Sequence, residues 1–81
     1  MLDNTIKFPT NYSSEKSTRD ALSEIYQALE EKGYDPINQI VGYLLSEDPT
    51  YITNHKNARA LVRRLDRDEL LRELVRSYLK L

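Results

Sequence analysis

Gly33-Tyr34-Asp35-Pro36-Ile37-Asn38-Gln39-Ile40-Val41-Gly42-Tyr43-Leu44-Leu45-Ser46-Glu47-Asp48-Pro49-Thr50-Tyr51-Ile52 decides how this chain folds. The stretch holds both glycines and two of the three prolines, so the stop and start signals concentrate here. Gly33 can end one helix, because glycine takes the left-handed conformation of a helix C-terminus without penalty. Asp35-Pro36 can start the next, a carboxylate cap followed by proline at the first helical position. Asp48-Pro49 repeats that signal after Ser46. Between them Ile37, Ile40, Val41, Leu44 and Leu45 recur at helical spacing. The reading is a short hinge helix onto which longer flanking helices fold.

Upstream, Leu22, Ile25, Tyr26 and Leu29 make an apolar stripe, widened by Ala21, that predicts a helix starting near Ser14 or Ser17 and stopping at Gly33. Glu30 and Glu31 near its end oppose the helix dipole. They are expected on a solvated face or against basic groups elsewhere. Met1 to Ser13 has no amphipathic period and reads as a flexible tail. Downstream, a turn at 49–52 precedes a helix from about Thr53 or Asn54 that turns Ala58, Leu61, Val62 and Leu65 inward. Asp66-Arg67-Asp68-Glu69 reads as a capping box that restarts the chain. The last helix, about 67–78, carries Leu70, Leu71, Leu74, Val75, Tyr78 and Leu79, a face wider than one small partner helix covers. The expected architecture is all-α: a compact small helical domain of four main helices plus a short turn helix over 14–81, with a flexible N-terminal tail over 1–13. The excess apolar surface on the second and last helices points to a homodimer.

At 81 residues the chain suits one domain that buries roughly 60% of its unfolded surface. It has no cysteine, which excludes disulfides and thiolate metal sites. No apolar run approaches the length of a membrane span and no signal-peptide pattern opens the chain, so a cytoplasmic protein is expected. Net charge is −1, unevenly spread. Residues 1–52 hold four Lys/Arg against nine Asp/Glu, while 53–81 hold eight against four. An acidic and a basic half can attract each other within or between chains. A chain weakly acidic overall is poorly built to neutralise phosphates, which argues against tight binding of nucleic acid.

Gly-Tyr-Asp-Pro-Ile-Asn-Gln-Ile-Val-Gly-Tyr-Leu-Leu-Ser (33–46), Asp-Pro-Thr-Tyr-Ile (48–52), His-Lys-Asn-Ala-Arg (55–59) and Arg-Asp-Glu (67–69) together strongly resemble the IreB family, small regulatory phosphoproteins of Gram-positive bacteria. The resemblance covers roughly residues 20 to 80. It implies a dimer phosphorylated on a tail threonine by a membrane-bound PASTA-type Ser/Thr kinase and reversed by its phosphatase. It also implies influence on cell-wall synthesis and antibiotic tolerance, in some members through Clp-protease turnover of the enzyme that commits UDP-N-acetylglucosamine to peptidoglycan. Thr5-Ile6-Lys7-Phe8 matches the family's Thr-x-x-Phe tail, which makes Thr5 the expected phosphorylation site. Leu2 stands where some members carry a second threonine, and Thr53-Asn54 where relatives often carry proline and a basic residue.

The lone histidine, His55, has no second His, no Cys and no paired acid at ligand or catalytic spacing, so an exposed or capping role is expected. There is no phosphate loop, zinc motif or nucleophile elbow. No enzyme activity and no cofactor are expected. Arg59, Arg63 and Arg67 recur at i, i+4, i+8, with Lys56, Arg64, Arg72 and Arg76 nearby. Alone they read as a solvated face with weak ion pairs to Asp66, Asp68, Glu69 and Glu73; the resemblance makes them a partner-binding face. The tyrosines Tyr26, Tyr34, Tyr43, Tyr51 and Tyr78 are expected in the core or a dimer interface, hydroxyls at the rim. Asn38 and Gln39 are expected to bond backbone or a second subunit. The leading reading is a non-enzymatic regulator. The alternative is a small helix-turn-helix nucleic-acid binder, with two helices over 57–79 joined near Asp66. A third is a structural subunit of a larger complex.

Overall fold

The structure is a computed structural model that describes residues 10–81, with side-chain surroundings from Thr18 onward. The expectations placed on residues 1–9, Thr5 among them, lie outside the described residues. Four helices follow in order: α1 (Thr10–Glu31), α2 (Pro36–Ser46), α3 (Ala58–Arg64) and α4 (Arg67–Leu79). Two single-turn 3-10 helices, Pro49–Tyr51 and His55–Asn57, lie between α2 and α3. The first matches the expected turn; the second was not anticipated. No strand occurs among the described residues.

The signals at 33–52 act as read. Gly33 has φ +84°. Its N–H donates to the Glu30 carbonyl and the Tyr34 N–H to the Leu29 carbonyl, both at 3.0 Å, satisfying two terminal carbonyls of α1. Asp35 caps α2 by accepting from the Asn38 N–H at 3.2 Å, while Asn38 Nδ2 donates to its second oxygen at 2.8 Å. Asp48 opens the first 3-10 turn by accepting from the Thr50 N–H and hydroxyl. Those two donors, the backbone one first, hold the Asp48 carboxyl below its ordinary value. Asp66 caps α4 through the Asp68 and Glu69 N–H groups. Glu69, the other half of the expected box, faces Arg72 at 3.5 Å instead of closing back on Asp66.

Two boundaries differ from the periodic reading. The first helix begins at Thr10, a turn before Ser14. Nothing after Pro9 breaks the run, and the polar residues 11–14 carry no stripe to mark that turn. The third helix begins at Ala58 rather than Thr53 or Asn54. Lys56 (φ 52°) and Asn57 (φ 62°) are both left-handed, which stops helical propagation until Ala58.

The core forms where α1, α2 and α3 meet. Ile25, Ala28 and Leu29 come from α1, Tyr43 from α2, and Ala58 and Val62 from α3. Ile52, between the two 3-10 turns, is fully buried among them. Ile40, Leu44, Leu61 and Leu65 pack against this cluster. Gln39 Nε2 donates to the Tyr51 carbonyl at 2.8 Å and fixes the first 3-10 turn against α2. Of the five tyrosines with described side chains only Tyr43 is buried; Tyr26, Tyr34 and Tyr51 are partly exposed and Tyr78 is almost wholly so.

Gly42 matters for closeness rather than for conformation. A Cβ there would lie 2.5 Å from Tyr51 Cε1 and 2.6 Å from Cδ1. In an open helix Gly→Ala gains about 1 kcal/mol. Here crowding of the ring, whose backbone Gln39 holds, costs about 1–3 kcal/mol. Gly42→Ala is therefore expected to lower stability by about 1 kcal/mol in urea denaturation. An increase would mean that Tyr51 swings freely into solvent.

Candidate functional site

The basic half of the sequence folds into the second 3-10 turn, α3 and α4, and its cations take different duties there. The Arg59 guanidinium donates from Nε to the Ile52 carbonyl at 2.8 Å, tying α3 back to the linker beneath it. Arg67 donates from one terminal nitrogen to the Leu44 carbonyl at 2.8 Å and from the other to Glu47 at 2.7 Å. It thus clasps the start of α4 to the end of α2. Arg72 faces Glu69 at 3.5 Å along α4.

Arg63 and Arg64 differ. Both are exposed in the last turn of α3 and neither has a hydrogen bond or ion pair among the described residues. With Lys56 they line an open depression of about 560 Å³, together with Glu24, Ala60 and Leu61. The expected stripe Arg59–Arg63–Arg67 is not one continuous helical face. Leu65 is extended and Asp66 restarts the chain, so Arg67 belongs to α4. The structure leaves Arg63 presented to solvent and engages Arg59 and Arg67 within the fold.

Glu31 pairs with both Lys56 and His55. His55 Nε2 lies 2.8 Å from Glu31 Oε1, and Lys56 Nζ lies 3.1 Å from the same oxygen. An ionised carboxylate only accepts, so the ring nitrogen carries the hydrogen. The His55 hydrogen bond first, then that of Lys56, lowers the Glu31 carboxyl from its ordinary value of 4.5. The acid that opposed the α1 dipole thus meets basic groups from the linker. His55 acts as a tie between α1 and the 3-10 turn rather than as a terminal cap.

A depressed folded-state value fixes the sign of the pH effect. The Glu31 contribution is present above about 4.5 and lost as pH falls through the lowered folded-state value. Denaturation of the protein and of Glu31→Gln across pH is expected to show a small gap at neutral pH that closes in acid. A gap that widened in acid would contradict the pairing. The group is exposed, so the effect stays small.

The expectation of surplus apolar surface on α2 and α4 is visible in the burial. On α2 the core takes Ile40, Tyr43 and Leu44 and leaves Ile37, Val41 and Leu45, spaced i, i+4, i+8, exposed. On α4 only Leu70 is buried; Leu74, Val75, Tyr78 and Leu79 are exposed. Among the described residues no helix is long and apolar enough to cross a membrane, and no group of three or more His, Asp or Glu is placed to hold a metal.

Sequence reasoning named every cation of the depression but not its grouping. Nothing in helical spacing sets Lys56 apart, because its position depends on two left-handed residues. Nor does spacing reveal that Arg67 reaches Leu44, twenty-three residues away in sequence. A protein-family model described as IreB regulatory phosphoprotein matches residues 3–80.

Proposed function

The chain belongs to the IreB family of regulatory phosphoproteins, and from that membership we propose a non-catalytic switch worked by phosphate on Thr5. The family match carries the reading, because it spans nearly the whole chain and includes Thr5-Ile6-Lys7-Phe8. The kinase is of the PASTA type, opposed by its cognate phosphatase in the cytoplasm. The output is control of cell-wall synthesis and antibiotic tolerance through protein contacts, with Clp-dependent turnover of a peptidoglycan-precursor enzyme as the route. Phosphate adds about −1.5 to −2 charge and three strong acceptor oxygens, so it changes what the protein binds without needing an active site. The partner meets the surface that carries Arg59, Arg63 and Arg67, of which Arg63, with no hydrogen bond or ion pair among the described residues, is the most available for direct contact. The protein works as a homodimer, supported by the exposed stripes of α2 and α4.

One preparation tests both parts. Incubation with the kinase catalytic domain and mapping by mass spectrometry is expected to place phosphate on Thr5, lost in Thr5→Ala. Sedimentation of the same protein is expected to give about twice the 9.5 kDa chain mass. No phosphate on the tail, or phosphate undiminished in Thr5→Ala, sinks the switch. A purely monomeric species sinks the dimer.

A further inference from the structure

We infer that the depression between α1 and α3, lined by Lys56, Arg63 and Arg64, is a docking site for an acidic peptide segment of a protein partner. This deepens the partner-binding part of the proposed function and rests on it. Cations at a helix C-terminus are favoured by the dipole, so position alone says little. What marks this place is the contrast among the arginines. Arg59 and Arg67 spend their donors on carbonyls of the fold, and Arg72 faces an acid on its own helix. Arg63 and Arg64 stand side by side with no partner among the described residues, at the rim of one depression that Lys56 also enters.

A second observation bears on the same spot. Lys56 and Asn57 both hold left-handed backbone, a conformation that asparagine tolerates and that costs about 1–2 kcal/mol at the lysine. Glu31 holds it through His55 and through the Lys56 ammonium, so the unengaged charge of the site comes from Arg63 and Arg64. The arrangement fixes the Lys56 backbone beside the two guanidiniums, and a pre-set site loses less freedom on binding. Ala60 and Leu61 add apolar lining, while Glu24 is the single acid. The matching ligand presents two or more carboxylates, which guanidinium groups take in paired hydrogen bonds, beside one apolar side chain. The small footprint of the cations, too short to neutralise a run of phosphates, favours a peptide over a nucleic-acid backbone.

The probe is a fluorescein-labelled Glu-Glu-Leu-Glu-Glu peptide, titrated with the full chain at low salt and read by anisotropy. Saturable binding is expected, weakened at least tenfold by Arg63→Glu with Arg64→Glu and at least threefold by the neutral pair Arg63→Gln with Arg64→Gln. The same charge reversal at Arg72 and Arg76 on α4 is expected to change affinity less than twofold. Absence of saturable binding overturns the proposal. So does equal loss at the α3 and α4 pairs, which would mean unspecific charge attraction. Tighter binding of a labelled DNA duplex than of the peptide overturns it in favour of a nucleic-acid face. The outcome is independent of Thr5. Peptide binding without tail phosphorylation leaves the docking site and removes the switch; phosphorylation without peptide binding does the reverse.

Discussion

Ile52→Ala is expected to cost about 2–5 kcal/mol, a large share of the roughly 5–15 kcal/mol that holds a domain together. Ile52 is fully buried although it lies in no helix. It sits between the two 3-10 turns, where its side chain joins the residues that α1, α2 and α3 bury together. Truncation there leaves a cavity bordered by three helices. Its neighbours cannot close in easily, because the Ile52 backbone is held on both sides. Its N–H donates to the Pro49 carbonyl at 3.0 Å and its carbonyl accepts from Arg59. Urea denaturation by circular dichroism checks the figure. A loss under 1 kcal/mol would mean that the linker collapses into the void and that the core rests on helix–helix contact alone.

Arg67→Ala and Arg63→Ala are expected to separate cleanly although both remove one exposed-looking arginine. Arg67 makes two short hydrogen bonds, one to a main-chain carbonyl and one to a carboxylate, and its side chain is 29% exposed. Hydrogen bonds to a charged group contribute about 1.5–3 kcal/mol each when intact. Partial solvent access and the exposed Glu47 lower that total, so a loss of about 1–3 kcal/mol is expected. Arg63 has no hydrogen bond or ion pair among the described residues, and its removal is expected to change stability by less than about 0.5 kcal/mol. Melting curves of the two variants decide it. Equal losses would mean that the clasp contributes nothing beyond a surface charge.

The contrast bears on how the basic half is to be tested functionally. A phenotype from Arg67→Ala or Arg59→Ala is confounded with a loosened fold. One from Arg63→Ala or Arg64→Ala reports on contact with another molecule.

The parts of this fold that were legible in advance are the local ones. Gly33, Asp35-Pro36, Asp48-Pro49 and Asp66 each act within three or four residues of themselves, so composition at short range suffices to place them. The inward face of α3 was legible for the same reason, that of α1 only in part: Ile25 and Leu29 are buried, but Tyr26 is exposed and Ala28, outside the expected stripe, lies in the core. The α2 period was read as one face, yet the core uses Ile40, Tyr43 and Leu44 and leaves Ile37, Val41 and Leu45 outside. Apolar residues on two sides of a short helix do not say which side meets the domain. Ile52 gave no periodic signal, because burial in a linker depends on how the chain turns there. The left-handed pair at 56–57 carried half a hint: Asn tolerates that conformation, Lys does not advertise it. At the candidate site the supply of cations was legible. The division between those that hold the fold and those left free was not, since it depends on carbonyls seven and twenty-three residues distant.

The last helix has a consequence of its own. Leu70 is its one buried residue and lies outside the main core cluster, Arg67 clasps its first turn, and left-handed Lys80 closes its end. Beyond Leu70 its backbone amides are protected chiefly by the helix's own ladder. Such a segment opens locally at a lower free energy than the whole domain unfolds. The build is a three-helix body with a more weakly held last helix, and hydrogen exchange is expected to release the amides of α4 beyond Leu70 before those around Ile25, Leu29 and Ile52.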